Sequence, residues 1–215
     1  MDLYFAPLAC SMASRIAIYE AHAAANFIFV DIHSHPEKRL LADGTDYRAI
    51  NPMGQVPALR TDDGDVLVEN PVVLQYVADH YPQAHLAPPS GVERYRLLQW
   101  LNFISTELHK ATYIPLLHRS STEGAKAFAR ERLPLRMRHL SDHLRGRSFL
   151  LEGFTVADAY LVTVLNWSPY AGIALSEWPE VNAWFQRLIQ RPSVARALAE
   201  EGKLFAEEHQ RRASA

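Results

Sequence analysis

Residues 55–71 read Gln55-Val56-Pro57-Ala58-Leu59-Arg60-Thr61-Asp62-Asp63-Gly64-Asp65-Val66-Leu67-Val68-Glu69-Asn70-Pro71, and this stretch decides the fold. Two short apolar runs flank a polar loop that contains Gly64, a pattern that predicts a β-hairpin. Asn70 is a good helix N-cap and Pro71 suits the first helical position, so a helix is expected to follow directly. The stretch therefore predicts a strand-strand-helix unit.

The residues before this unit predict a βαβ unit. Residues 3–5 form a short apolar run that Pro7 ends, and residues 12–21 carry apolar side chains at helical spacing. Residues 27–30 are a second apolar run, rich in aromatic and β-branched side chains. Strand, helix and strand at this spacing predict two parallel strands joined by a helix. The first part of the chain therefore has the predicted order β-α-β, then β-β-α.

After residue 81 the sequence changes from mixed to helical. Residues 82–91 hold three prolines, a serine and a glycine, so they predict a linker. We expect an α/β domain at 1–81, this linker at 82–91, an all-helical domain at 92–205 and a frayed tail at 206–215.

Periodic apolar side chains indicate the helices of the second part. The expected helices span 92–117, 123–145, 155–171, 179–190 and 193–201. Pro134 is expected to kink or divide the second of them. Thr155 and Asp158 have the spacing of a capping box at the start of the third, whose following residues are almost all apolar. A helix without a polar face should lie at the centre of a bundle.

Composition excludes several classes of protein. The 215 residues contain one cysteine, which excludes an intrachain disulfide and a cysteine-based zinc site. Residues 1–82 carry a net charge of −6 and residues 83–215 a net charge of +4, so the basic excess is too small and scattered to favour a nucleic-acid partner. The first residues lack a basic segment and a long apolar run, so we expect a cytoplasmic protein without a membrane span.

Cys10 is the first candidate functional residue. It follows a strand and a loop at the start of a helix, where free amides and the helix dipole favour a thiolate. The stretch Cys10-Ser11-Met12-Ala13 lacks the second cysteine of a Cys-x-x-Cys motif. A disulfide partner would therefore come from another molecule, most simply a small thiol. The alternative is that Cys10 is a small buried apolar residue.

Two further features point to peptide binding. Val56 precedes Pro57, and an extended residue before a cis proline can pair its backbone with a short peptide. An ordinary edge strand is the alternative. Glu69 and the helix start at Asn70 can bind the ammonium and carboxylate of an amino-acid head group. Here the alternative is an ordinary helix cap beside an acidic residue.

Four blocks of this sequence, in this order, resemble bacterial beta-class glutathione S-transferases. They are residues 4–11, 51–59, 99–110 and 154–158, and the resemblance covers essentially the whole chain. It implies a thioredoxin-like N-terminal domain, an all-helical C-terminal domain and a homodimer. It also implies a detoxifying enzyme that conjugates the thiolate of glutathione, its co-substrate, to small apolar electrophiles without a metal.

The resemblance also implies individual roles. Val56 would bind the cysteinyl backbone of glutathione, Pro57 would be cis, and Glu69 with Asn70 would hold the γ-glutamyl end. The other implied glutathione contacts are Cys10, His35, Asn102, Thr106 and His109. The candidate catalytic residues are Cys10, Ser11 and His109. Two positions depart from the family. Asn70 stands where the family usually has Ser or Gly, and His35 stands where it often has Lys.

An apolar pocket for the electrophile is predicted from Phe5, Tyr113, Leu117, Trp167 and Tyr170, with ordinary core packing as the alternative. Two other functions stay open on the sequence. One is thiol–disulfide exchange through a mixed disulfide between Cys10 and glutathione. The other is a glutathione-binding or regulatory protein without catalysis. His139 and His143, four residues apart, are interpreted as a surface pair and not as metal ligands.

Overall fold

The computed structural model describes residues 1–33, 35 and 37–213. They form two compact units, one made of Met1–Ala84 together with Pro192–Ala215 and the other of His85–Arg191. The division after Ala84 falls inside the predicted linker. The last part of the predicted helical domain, from Pro192 onward, belongs instead with the N-terminal residues, so that boundary of the prediction is wrong.

The regular elements follow the predicted order. The strands are β1 Asp2–Phe5, β2 Asn26–Phe29, β3 Ala58–Arg60 and β4 Val66–Val68. The helices are α1 Met12–Glu20, α2 Asn70–His80, α3 Gly91–Phe103, α4 Ile114–Leu117, α5 Glu123–Leu144, α6 Val156–Leu165, α7 Pro179–Leu188 and α8 Pro192–Ala213. A π-helical stretch, Ile104–Tyr113, joins α3 to α4.

In the described part of the chain, four strands make one sheet in the order β2-β1-β3-β4. β1 and β2 are parallel, with Leu3 opposite Phe27, whereas β3 is antiparallel to both of its neighbours and pairs Leu59 with Leu67 of β4. The parallel pair needs the α1 crossover and the antiparallel pair needs only a loop. The predicted βαβ and ββα units are both confirmed.

α8 is the largest departure in the first unit. The sequence predicted a helix at 193–201 and a frayed tail from 206, but the helix continues to Ala213. Its buried residues, Val194, Ala197, Glu201 and Glu208, recur at helical spacing on one face. Two of these four are charged, so the inner face of α8 does not look apolar in the sequence.

Helix windings and lengths in the second unit also differ from expectation. The stretch predicted as one helix at 92–117 is continuous but changes to π-winding between Phe103 and Ile114. Pro134 does not divide α5. α6 stops at Leu165, short of the predicted 171, and all ten of its residues are buried. In the part of the chain that the structure describes, no helix has the length and hydrophobicity that crossing a bilayer requires.

The capping box at the start of α6 is confirmed. Asp158 accepts hydrogen bonds from the amides of Leu150 and Thr155, each at 2.9 Å, and from the Thr155 hydroxyl at 2.9 Å. The carboxylate therefore satisfies two backbone donors that would otherwise be buried without an acceptor. It ties the loop before α6 to the first turn of that helix.

Candidate functional site

The Cys10 thiol lies just before α1 and faces the segment that leads into β3. Its sulfur donates a hydrogen bond to the carbonyl oxygen of Val56 at 3.1 Å, and the residue is half-buried. The two features that the sequence singled out separately, the lone thiol and the residue before the proline, are therefore neighbours. Donation to a carbonyl requires the protonated thiol, so Cys10 acts here as a hydrogen-bond donor.

Hydrogen bonds and side-chain packing fix the backbone around Val56. The Val56–Pro57 peptide is cis, as predicted. The carbonyl oxygen of Gln55 accepts from the Tyr47 hydroxyl at 3.0 Å and from the Asn51 side-chain amide at 2.6 Å. The Val56 side chain packs against a core that includes Tyr47. These contacts present the backbone of Val56 in a fixed orientation.

Glu69 occupies a strained position at the start of α2. Its φ is 69°, in the left-handed region, which costs a residue with a Cβ about 1–3 kcal/mol. Glu69 is the N-cap residue and Asn70 the first residue of the helix, so the prediction of Asn70 as N-cap is wrong. The Glu69 side chain is exposed beside the first turn of α2. This position keeps its carboxylate available to a ligand cation.

Asn70 connects α2 to the Cys10 loop. Its side-chain amide donates to the carbonyl oxygen of Cys10 at 3.1 Å, and its side-chain oxygen accepts from the Ser14 hydroxyl at 2.8 Å. The residue is buried. Both ends of the side chain are therefore engaged inside the fold, and the predicted contact of this side chain with a glutathione carboxylate does not fit its placement.

We expect Asn70→Ala to destabilise the protein and loosen Cys10. Loss of two buried hydrogen bonds should lower the free energy of unfolding by about 1–3 kcal/mol and speed alkylation of the Cys10 thiol. Urea unfolding and iodoacetamide labelling measure the two effects. Asn26→Ala is the matched control, because the side-chain amide of Asn26 donates to the Asp2 carboxylate at the surface, at 2.9 Å. Equal unfolding midpoints for the two variants would contradict the bridging role.

Two other predicted residues in this unit are used differently from expectation. The Ser11 hydroxyl is fully buried and bonds the amide and the carbonyl oxygen of Ala6, each at 3.3 Å. A catalytic role for Ser11 does not fit this placement, because its hydroxyl closes the loop from inside. The ring nitrogen Nδ1 of His35 accepts from the amides of Glu37 and Lys38, each at 3.0 Å, so this nitrogen carries no proton.

The predicted residues of the helical unit lie on α3 and the π-helical stretch that follows it. The Asn102 amide donates to Leu98 O at 2.8 Å, and the Thr106 hydroxyl donates to Asn102 O at 3.0 Å. Both side chains are exposed. His109 is buried, with Nδ1 at 2.7 Å from the Tyr160 hydroxyl. Burial, with a smaller contribution from Lys110, lowers the pKa of His109 to about 3, so the ring is neutral near pH 7.

The predicted electrophile pocket is largely core. Phe5 is buried in the first unit, with its ring covered by Phe27, by Phe29 and by the Arg15 guanidinium at 4.2 Å. Tyr113 is fully buried in the second unit, where its hydroxyl bonds Ser168 at 2.7 Å. Both predictions are wrong, because neither ring has surface left for a substrate. Three residues of the second unit remain predictions: Leu117 is half-buried, Trp167 is buried and Tyr170 is exposed.

Comparisons with known proteins show the family of this chain. The family model described as the glutathione S-transferase N-terminal domain matches residues 9–80, and the C-terminal domain of the same family matches residues 103–192. The chain belongs to the glutathione S-transferase family. It is 39% identical to glutathione S-transferase GstA of Escherichia coli O157:H7, in a match covering 94% of this chain and 99% of that protein.

Two solved glutathione S-transferase structures are similar to this one over nearly their whole length. One is a sphingomonad enzyme complexed with glutathione and the other is a bacterial beta-class enzyme from Sphingomonas chungbukensis. Each is 39% identical, with a TM-score of 0.87 over 94% of this chain and 99% of that one. The predicted family, its beta-class resemblance and its two-part fold are confirmed.

Histidines 139 and 143 of this glutathione S-transferase form an aromatic cluster. Both rings pack against Trp100, with ring centroids at 5.5 Å and 4.4 Å. Among the described residues, no group of three or more His, Cys, Asp or Glu side chains is placed to hold a metal ion. Packing against Trp100 accounts for the placement of both rings.

Sequence reasoning missed the residues that support the site of this glutathione S-transferase from inside. Tyr47 and Asn51 hold Gln55, and Glu201, which pairs with Arg15, bonds the loop before Cys10. Arg15 carried a signal, since it is a charged residue inside an otherwise apolar stretch of α1. Glu201 carried none, because it lies among polar residues near the end of the chain.

Proposed function

We propose that this chain binds glutathione on its N-terminal unit and transfers the glutathione thiolate to a small apolar electrophile. The distance of 3.1 Å between the Cys10 sulfur and the Val56 carbonyl oxygen carries this proposal. A peptide whose backbone pairs with Val56 would bring its own cysteinyl sulfur close to Cys10. A relative with the same fold binds glutathione, as its complex records.

Four groups would hold glutathione in this unit. The backbone of Val56 would pair with the cysteinyl residue of the tripeptide. The exposed Glu69 carboxylate would bind the γ-glutamyl ammonium, while the amides at the start of α2 would bind its carboxylate. His35 would contact the glycine end. The roles of Asn102, Thr106 and His109 stay predictions from the family resemblance.

Cys10 would stabilise the glutathione thiolate by hydrogen bonding. The Cys10 S–H already acts as a donor to Val56, and the same donor can turn to a bound thiolate. Glutathione releases its thiol proton to solvent, and the thiolate then attacks an electrophilic carbon. A carbon–sulfur bond forms, and the leaving group departs with the electron pair of the bond that breaks. Cys10 keeps its own proton, so the step needs no oxidant.

The family resemblance supports the rest of the proposal. We infer that the protein works as a homodimer in the cytoplasm, that it removes reactive electrophiles and that glutathione is its co-substrate. No metal has a part in the proposed step.

We expect Cys10→Ala to slow conjugation more than it weakens glutathione binding. A hydrogen bond to a charged group contributes about 1.5–3 kcal/mol, so kcat/KM with an aryl halide should fall roughly tenfold or more. The Kd for glutathione, measured by calorimetry, should change by less than about threefold, because the other proposed binding contacts remain.

Cys10→Ser is the matched control, because its hydroxyl can still donate. It should retain more conjugation activity than Cys10→Ala. No saturable binding at millimolar glutathione would reject the whole proposal. If both variants conjugated at the wild-type rate but lost disulfide reduction, Cys10 would belong to thiol–disulfide exchange.

A further inference from the structure

The loop before Cys10 is anchored by a residue from the far end of the chain. Leu8 has a φ of 56°, an uncommon left-handed conformation for a residue with a Cβ. Its amide donates to the Glu201 carboxylate at 2.7 Å, across 193 residues of sequence. A strained residue persists only where its surroundings hold it. Glu201 supplies such a contact to Leu8, which lies two residues before Cys10.

Glu201 is a buried charge with a buried partner. Its side chain is 0% exposed, and its second oxygen lies 2.8 Å from Arg15 Nε, an ion pair whose angle does not make a hydrogen bond. The Arg15 guanidinium also packs 4.2 Å over the ring of Phe5 and 4.0 Å over that of Phe27. Arg15 also pairs with Glu200, whose carboxylate oxygen lies 3.1 Å from Arg15 Nη1. Loss of Arg15 would leave Glu201 as a buried charge without this partner, which is strongly unfavourable, so Glu201 depends on Arg15.

Side chains from α8 and α2 anchor the Cys10 loop from outside it. Glu201 of α8 holds the amide of Leu8, and Asn70 of α2 holds the carbonyl oxygen of Cys10. Inside the loop, Ala6 bonds the amide of Ala9 at 3.2 Å and the hydroxyl of Ser11 at 3.3 Å. The position of the thiol relative to Val56 follows from these contacts together.

We propose that Glu201 is a positioning residue for Cys10: its ionised carboxylate, paired with Arg15, fixes Leu8 and so holds the thiol on the Val56 carbonyl. The negative charge strengthens the bond to the Leu8 amide and pairs with Arg15. When the charge is lost, the loop loosens and the thiol leaves Val56. The inference deepens the proposed function, since it concerns the same thiol, but it does not depend on which ligand binds.

The charge on Glu201 is set by a balance close to neutral pH. Burial raises the pKa of Glu201 to about 7, against the lowering effects of Arg15 on α1 and the Leu8 amide, while Glu200 on α8 raises it further. Tyr19 of α1 hydrogen-bonds Glu200 and Arg15 and so belongs to the same cluster. The anchor should therefore be complete at about pH 8 and weakened at about pH 6.

Alkylation of Cys10 by iodoacetamide tests the proposal, because the chain has no other cysteine. In Glu201→Gln the labelling rate should rise about fivefold or more at about pH 8, corresponding to loss of one charge-assisted bond. The ratio of variant to wild-type rates should fall toward one at about pH 6, where wild-type Glu201 also loses its charge. Taking the ratio removes the intrinsic pH dependence of the thiol.

Glu208→Gln is the matched control, since Glu208 is a buried carboxylate on the same helix that faces Arg212 and not the loop. It should label within about twofold of wild type at every pH. A folded Glu201→Gln protein with the wild-type rate, or a rate ratio that does not change with pH, would overturn the proposal. Neither result needs glutathione, so failure here is separate from failure of the proposed function.

Hydrogen exchange in the wild-type protein gives a second test that needs no variant. The Leu8 amide should be protected from exchange at about pH 8, and its protection factor should fall at about pH 6, relative to that of the Leu3 amide in β1. If Glu201→Gln does not fold, this measurement still tests whether Glu201 holds the Leu8 amide. A Leu8 amide without protection at about pH 8 would overturn the proposal.

Discussion

Asp158→Ala should lower the free energy of unfolding by about 3–5 kcal/mol, because it leaves the buried amides of Leu150 and Thr155 without an acceptor. The Thr155 hydroxyl loses its acceptor as well. Burial raises the pKa of Asp158 to about 6 although these three donors oppose the rise, so the carboxylate is ionised near neutral pH. Urea unfolding followed by circular dichroism at about pH 7.5 measures the loss.

Asp158→Asn separates lost hydrogen bonding from lost packing. Asparagine has nearly the same shape, but its amide group presents a donor to another donor, so most of the loss should remain. Asp142→Ala is the surface control, because Asp142 pairs with the exposed Arg145, the residue that follows α5, and it should change stability by less than about 1 kcal/mol. An unfolding midpoint of Asp158→Asn equal to that of wild type would show that the carboxylate does not stabilise the capping box.

Acidification should remove stability through His109. Its pKa falls from 6.5 to about 3 on folding, so between these values the unfolded chain binds a proton that the folded chain does not. The stabilisation is complete above about pH 6.5 and decreases as the pH falls. Between about pH 6.5 and 4.5 the loss from this group should be roughly 2–3 kcal/mol.

Comparison with His109→Gln isolates this contribution. Asp158 and Glu201 have raised pKa values, so folding favours their protonated forms, and their contribution falls as the pH rises through the same range. The stability difference between wild type and His109→Gln cancels them and should shrink as the pH falls. A His109 ring whose NMR signals titrate near pH 6.5 in the folded protein would contradict the prediction.

Local patterns predicted much of the first unit. Loop glycines and apolar alternation located the hairpin of β3 and β4, and the βαβ spacing located β1, α1 and β2. The capping box at Thr155 and Asp158 could be identified from the sequence because it depends on two residues three positions apart. Each of these features is determined by contacts within a short stretch, so sequence spacing is enough to identify it.

The failures share a physical cause. The inner face of α8 carries Glu201 and Glu208, whose burial depends on residues far away in sequence. Phe5 was assigned to a pocket because an aromatic side chain suits both a pocket and a core. The π-winding of Ile104–Tyr113 leaves no distinctive pattern, since its hydrogen bonds shift by one residue without changing side-chain composition.

The sequence by itself determined the family, the order of the elements and the candidates Cys10, Val56 and Glu69, because motif residues and local periodicity are properties of short segments. Only the tertiary structure decided how these residues are used. In the folded chain Asn70 and Ser11 form internal hydrogen bonds that support the Cys10 loop, and Glu201 bonds the Leu8 amide. Such contacts join residues that are distant in the chain, and burial, which sets the charge of Glu201 and His109, exists only once the chain has folded.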